Sequence, residues 1–242
     1  MDFFKQHFNS EELVEGKLLL INKPIGWTSF QVVNKLRWHI KNLSGLKKIK
    51  VGHAGTLDPL ATGLLLICTG KKTKSISTLQ ETEKEYTGTF FIGATTPSYD
   101  LETSVDQTFD TRLLTEEIIL NATAQFTGEI LQYPPVFSAL KKNGKRLYKY
   151  ARAGENPEIT PRTVVVHEFK ITKINLPKVD FLVRCSKGTY IRSLVHDFGK
   201  SLSNGAHLNS LKRTRVGNYK IENAFSMESV INPDSEKNIT RK

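Results

Sequence analysis

The sequence predicts an α+β fold, a mixed and largely antiparallel sheet flanked by helices. Short aliphatic and β-branched runs read as buried strands, and apolar stripes at helical spacing read as amphipathic helices. The two do not alternate strictly. Thr163 to Ile174 and Val179 to Cys185 are consecutive strand-like runs with Asn175, Pro177 and Lys178 in the short segment between them, a hairpin-type connection that argues against a doubly wound parallel sheet. At 242 residues the chain is long enough to bury a sizeable core.

Lys17 to Asn22 (KLLLIN) is the first expected strand, ended by the turn Lys23-Pro24-Ile25-Gly26. Thr28 or Ser29 can cap the next helix, in which Val33, Leu36 and Ile40 form one apolar stripe. A Gly-rich loop from Gly52 to Gly63 leads into Leu64 to Cys68, another short buried strand. Residues 71–84 read as a helix and Tyr86 to Ile92 as a strand. Leu113 to Phe126 and Arg146 to Ala153 read as helices, and Ile191, Leu194, Val195 and Phe198 mark another that starts near Tyr190. No repeat or low-complexity linker appears, so 1–231 is expected as one domain and 232–242 as a polar, frayed tail.

Composition narrows the class. Hydrophobic residues at 38% and charged residues at 24% suit a globular chain rather than a disordered one. The longest apolar run, Leu64 to Cys68, is far too short to span a bilayer, and the N-terminus lacks a secretory pattern, so the expected location is the cytoplasm. Cys68 and Cys185 have no partner at zinc or disulfide spacing and read as core residues of a reducing compartment.

The charge is more informative: 35 Lys and Arg against 24 Asp and Glu give +11, which favours a polyanionic partner. The excess is clustered. Residues 41–50 carry four lysines and no acid, 137–152 carry six basic residues and no acid, and 205–220 carry Lys212, Arg213, Arg215 and Lys220, while 98–118 hold six acids against Arg112 alone. Phe137, Tyr148 and Tyr150 interleave with the middle block, and aromatic rings there can stack on unpaired bases or simply pack.

Dinucleotide, serine-hydrolase, zinc-protease and zinc-deaminase motifs are all missing, and Gly70-Lys71-Lys72 fails as a phosphate loop, so no nucleotide, flavin or metal is implied. What remains is Val51 to Gly63, where Gly52, Gly55 and Gly63 surround one carboxylate, Asp58. Pro59 holds Asp58 out of the helical region. Leu57 and Leu60 are expected to surround it with apolar surface, where a carboxylate needs a cation or hydrogen bonds to stay ionised. Asp-Pro alone is also an ordinary turn. A second stretch, Cys185 to Arg192, runs from a strand into a helix start, with Gly188 allowing close approach and Tyr190 and Arg192 in the first turn. It equally fits a plain strand-helix junction capped by Thr189.

These motifs together carry a resemblance. G-H-A-G-T-L-D-P-L-A-T-G at 52–63 closely resembles the catalytic loop of the TruB family, the tRNA pseudouridine-55 synthases. The other matches fall in the family's order: N-K-P-x-G-x-T-S at 22–29, K-x-Y at 84–86, Y-P-P-x-F-S-A-L-K at 133–141, S-K-G-T-Y-I-R-S-L at 186–194 and G-A-H-L-x-x-L-x-R-T at 205–214. The resemblance implies a pseudouridine synthase fold with a central catalytic cleft. It also implies cofactor-free isomerisation of a T-loop uridine of tRNA, in which the base leaves ribose through N1 and returns through C5.

By the same resemblance Asp58 is the catalytic carboxylate, either nucleophile at C1′ or general base at C2′. Arg192 pairs with that carboxylate, and Lys23 with Pro24 buttresses its loop. Tyr86 stacks on the target base, Tyr190 lies in the base pocket as a candidate for the C5 proton, His53 fills the gap left by base flipping, and Leu211 lines the pocket. Asn22 stands where the family more often has Asp. Only a short stretch follows Thr214, so the expected form lacks the C-terminal PUA domain of many bacterial members, and the basic blocks would have to help hold the RNA. The expected partner is the T-arm stem-loop of tRNA, bound by a monomer with no membrane or obligate protein partner. The alternative is an RNA-binding or tRNA-folding protein whose isomerase activity is dispensable or directed at another RNA hairpin.

Overall fold

The computed structural model describes residues 8–155 and 157–231; the expected tail from Asn232 lies outside them. Helix α1 (Ser10–Glu15) opens on a capping box in which Asn9 and Glu12 each accept the other's backbone N–H. Strand β1 (Leu18–Lys23) follows, then α2 (Ser29–Ser44), capped by Thr28 with Gln31 as its reciprocal partner and ended by Gly45 at φ +67°.

Strands β2 (Val51–His53) and β3 (Ala61–Thr69) extend into both ends of the Gly-rich segment, so the true loop is shorter than the sequence suggested. Residues expected as one helix over 71–84 form a 3₁₀ stretch, Gly70–Ser75, and then α3 (Ile76–Glu81). The helix stops early because strand β4 (Lys84–Ile92) begins within the expected range.

The chain continues through β5 (Ala94–Thr95), β6 (Gln107–Thr108), α4 (Glu116–Ala122), β7 (Gly128–Gln132), β8 (Lys141–Lys142), β9 (Lys145–Arg146) and α5 (Leu147–Arg152). The expected hairpin follows as β10 (Arg162–Asn175) and β11 (Lys178–Cys185), then α6 (Ile191–Ser201) and β12 (Ala206–Val216). Strands β13 (Tyr219–Lys220) and β14 (Phe225–Ser226) and helix α7 (Met227–Ile231) close the described chain.

These residues divide into two compact units, one formed by the chain up to Lys84 and from Lys212 on, the other by Glu85–Leu211. In the first, β1 and β3 pair antiparallel from Leu18↔Cys68 to Lys23↔Gly63, β14 lies parallel to β1, and β2 pairs antiparallel with β3. Alternation along β1 and β3 supplies two cores. Leu19, Ile21, Leu65 and Ile67 meet Val32, Val33, Leu36 and Ile40 of α2, whereas Leu64 and Leu66 point to the other face with Ala54 and Val216. The α2 stripe is as expected.

In the second unit, β10 pairs antiparallel with both β11 and β7. Its core is aromatic around Phe198 of α6, whose ring lies 5.3–5.7 Å from those of Phe90, Phe126 and Phe169, largely edge-on. Cys68 and Cys185 are both buried, in keeping with their reading as core residues. Among the described residues no helix is long and apolar enough to cross a membrane.

Candidate active site

The Asp58 loop is fastened at nearly every residue. At its entry, Ala54 donates its N–H to the Leu66 carbonyl at 2.9 Å. The next two carbonyls, of Gly55 and Thr56, accept from the two terminal nitrogens of Arg213 at 3.1 and 3.4 Å, while Arg213 Nε donates to Leu64 O at 2.7 Å. The Ser29 hydroxyl then takes both backbone groups of Leu57, accepting from its N–H at 2.8 Å and donating to its carbonyl at 3.1 Å. Beyond Asp58, the Pro59 carbonyl accepts from Gly26 N at 2.8 Å and from Lys23 Nζ at 3.4 Å. Asp58 is the half-buried residue between these two pinned neighbours.

Each fastener is built by a local feature of the sequence. Thr28 starts α2, which places Ser29 at the first helical position facing the loop. Gly26, at φ +80°, turns the chain so that its N–H reaches Pro59. Lys23 ends β1 with its ammonium inside, donating also to Pro24 O at 3.0 Å and Trp27 O at 2.6 Å. It has no exposed surface. The expectation that Lys23 buttresses the loop therefore has a geometric counterpart.

Electrostatically the loop holds one carboxylate among buried cations. Burial pushes the Lys23 ammonium down to about 8, the Asp58 carboxylate opposes that shift, and the Arg213 guanidinium adds to it. The His53 imidazole is held below its ordinary range by burial and by Arg213, against the Gly55 backbone. The balance favours its neutral form.

The sequence reading counted Arg213 in a basic block and within the last motif, at 205–214, but gave it no role. It is 1% exposed, and its partners are carbonyl oxygens of the Asp58 loop and β3. Arg215, in the same block, is bonded to Glu83 and donates to Gly217 O at 2.9 Å. Both cations therefore do internal work. The surrounding of Asp58 also differs: Leu57 is buried, but Leu60 is 37% exposed because the chain turns outward before Ala61 N closes onto Asp58 O at 3.1 Å.

The remaining candidates sit in the second unit. Arg192, in the first turn of α6, is 3% exposed; it donates to Ser98 O at 3.1 Å and Phe137 O at 2.9 Å, with Asp100 Oδ2 3.6 Å from Nε. Tyr190 is the N-cap residue, its N–H and carbonyl both clamped by the Gln132 side chain at 2.7 and 3.0 Å. The Arg162 guanidinium stands 5.2 Å from its ring centroid. Thr189 does not cap the helix; its hydroxyl donates to Ser186 O and closes the preceding turn. Tyr86 and Leu211 are buried, on β4 and β12. Gln132, Asp100 and Arg162 had no sequence signal, since a lone amide or charge in a strand or loop looks like any other.

The basic middle block is also less free than its composition suggests. Lys145 pairs with Glu155 at 2.8 Å and Arg152 with Glu102 at 3.2 Å. The Tyr150 ring is covered by Lys145 and the Tyr148 ring by Arg152, with centroid distances of 4.2 and 5.5 Å.

The Asp58 loop lies within a stretch that matches a known family. Residues 41–191 match the family model described as TruB family pseudouridylate synthase, N-terminal domain, and 192–237 match the tRNA pseudouridylate synthase B C-terminal domain. The chain belongs to the TruB family. It is 62% identical over 218 residues to tRNA pseudouridine synthase B of Flavobacterium johnsoniae, covering 90% of this chain and 95% of that one. The protein of the same name from Phocaeicola vulgatus is 53% identical over 215 residues, covering 89% and 92%. Among solved structures, a chain of a Cbf5-Nop10-Gar1 complex superposes with a TM-score of 0.69 at 30% identity over 98% of this chain. A chain of an H/ACA RNP bound to a substrate RNA containing 2′-deoxyuridine gives 0.66 at 27% over 100%. This chain spans 60% and 61% of those two. The TruB assignment agrees with the mostly antiparallel, helix-flanked fold, and the six motifs that carried the resemblance lie within the matched ranges or just before them.

Proposed function

We propose that this chain converts uridine 55 in the T-loop of tRNA to pseudouridine, with Asp58 as the group that acts on the ribose. The observation that carries this reading is the fastening of Leu57 and Pro59 by Ser29, Gly26 and Lys23, which holds the carboxylate between them on a rigid backbone. Chemistry that depends on one positioned carboxylate needs such preorganisation.

The reaction breaks C1′–N1 and forms C1′–C5; N1 gains a proton and C5 loses one. Asp58 serves as nucleophile at C1′ or as base at C2′. A primary isotope effect from deuterium at C2′ belongs to the second route alone. Tyr190 is assigned to the C5 proton, Tyr86 to stacking on the base, Leu211 to the pocket, and Arg192 to support of the Asp58 carboxylate, all by the family resemblance. Extruding the base costs a few kcal/mol, and a neutral His53 can take the vacated place without burying a charge.

The test is mass-spectrometric mapping of pseudouridine in tRNA incubated with the purified chain. Wild type should modify one T-loop uridine, and Asp58→Asn should bind tRNA but leave it unmodified. Turnover by that variant would remove Asp58 from the role. Activity on an isolated T-arm stem-loop would place the partner in that arm, and full cellular rescue by the inactive variant would favour the RNA-folding alternative.

A further inference from the structure

We infer that the groove of about 460 Å³ lined by Trp27, Gln31, Asn34, Lys35 and Trp38 is a subsite for an unpaired nucleotide of an RNA ligand, separate from the Asp58 loop. Its volume lies in the ordinary range for small-ligand sites. Gln31, Asn34, Lys35 and Trp38 fall at i, i+3, i+4 and i+7 along α2, so they share one face of the helix, while Val32, Val33, Leu36 and Ile40 are buried. Packing does not require a tryptophan on this outer face. Trp38 is 56% exposed, and the chain's two tryptophans both line the groove.

The polar groups of the groove select an acceptor-rich ligand. Gln31 Oε1 already accepts from Thr28 N and Oγ1 at 2.7 and 2.9 Å, and Asn34 Oδ1 accepts from Arg37 at 2.7 Å. What these side chains offer outward is therefore their amide N–H groups, alongside the Lys35 ammonium. Base carbonyls and phosphate oxygens complement such a set. Lys35 Nζ lies over the Trp38 ring, 5.3 Å from its centroid, so a stacking base takes the face that the lysine covers and leaves the ammonium within reach of that nucleotide's phosphate.

The sequence of α2 carries Lys35, Arg37 and Lys41 and no acid, and Lys47, Lys48 and Lys50 follow. This charge argues against a second copy as the occupant, because a two-fold contact would set one acid-free helix against another. Unpaired rather than duplex RNA follows from the exposed ring, since only a splayed base presents its face. The choice of RNA as polyanion rests on the proposed function.

The two tryptophans make the test direct. Emission of the full chain is titrated with a short oligouridylate and with an RNA duplex. The single strand should quench it. Trp38→Ala, read through Trp27, should weaken binding by about 5- to 150-fold, the range for loss of one base-aromatic stack. Trp38→Phe should restore most of the affinity, and Lys35→Ala should flatten the salt dependence by about 0.7. Circular dichroism should show each variant folded. Equal quenching by duplex, unchanged affinity in Trp38→Ala, or emission that shifts with protein concentration in the absence of RNA would overturn the subsite. Pseudouridine formation is measured on the same preparations. Trp38-dependent binding without turnover sinks the isomerase reading alone, and turnover without Trp38-dependent binding sinks the subsite alone.

Discussion

Arg213 Nε donates to the carbonyl of Leu64 across 2.7 Å, and the same guanidinium holds the Gly55 and Thr56 carbonyls of the loop that carries Asp58. One buried side chain thus ties β3 to the loop. Arg213→Met fills much of the volume but leaves these acceptors without their donor. The expected loss is about 3 kcal/mol of stability, or roughly 6–12 °C in melting temperature for a chain of this size. The rate of pseudouridine formation should fall further than the affinity for tRNA. A variant that melts and turns over like wild type would show that the three bonds neither stabilise the loop nor position it.

The main chain of Arg213 also constrains Gly63. A Cβ at Gly63 would meet Arg213 O at 2.3 Å and N at 2.6 Å, and the residue sits at φ +105°. Gly63→Ala combines a backbone clash with a disfavoured conformation and should leave little folded protein. Gly26 is the control: its φ is +80°, but a Cβ there meets nothing within 4 Å. Gly26→Ala should cost only the left-handed strain, about 1–2 kcal/mol by urea unfolding. Equal losses at the two sites would mean that the contact with Arg213 is unimportant.

What could be read in advance follows the same division. The stripe of α2, the hairpin of β10 and β11 and the start of α6 were legible because period and turn chemistry are local. The internal role of Arg213 was not, because a lysine- and arginine-rich strand looks alike whether its cations face water or carbonyls 149–158 residues away. The single helix expected over 71–84 failed for a related reason: the change to strand at Lys84 has no local sign in the sequence. Asp58 stood out only through its motif.

Lys23 gives the loop a dependence on pH. Burial lowers its ammonium from 10.5 to about 8, so between those values the unfolded chain holds a proton that the folded chain has released. Stability from this group therefore rises with pH across that window, and the penalty is complete below it. Turnover should move the other way. As the ammonium loses a proton it loses one of the three donors that hold the Pro24, Trp27 and Pro59 carbonyls. The kcat profile should show a basic limb near pH 8 that Lys23→Met abolishes. A limb that persists in Lys23→Met belongs to another group.

Gln132 is expected to act through Tyr190. It is 1% exposed and bonds both backbone groups of the residue that begins α6. Gln132→Met leaves the part-buried Tyr190 N–H without its acceptor, while the Tyr190 carbonyl keeps the Leu194 N–H at 3.0 Å, at a cost of about 1–2 kcal/mol. If Tyr190 handles the C5 proton, kcat should fall with little change in KM, while Gln132→Glu, which keeps the acceptor for the Tyr190 N–H, should be milder. A purely structural clamp would instead lower the melting temperature in both variants and leave kcat of the folded fraction intact.

Asp197 provides a stability prediction away from the Asp58 loop. Burial pushes its carboxyl up to about 6, with Lys200 opposing, so the folded chain keeps a proton between about 4 and about 6 that the unfolded chain gives up. Stability from this group is greatest below the unfolded value and declines as pH rises through 6. Its neighbour His196, stacked on Tyr99 at 3.9 Å, is shifted down mainly by burial and contributes the opposite slope as pH approaches its ordinary value. Asp197→Asn separates the two. It removes the carboxylate's penalty, so the variant should gain about 2 kcal/mol over wild type at pH 7.5 and keep only about a third of that advantage at pH 4.5. Urea unfolding at the two pH values decides it: a gain that is equal at both would trace to packing, not to the charge.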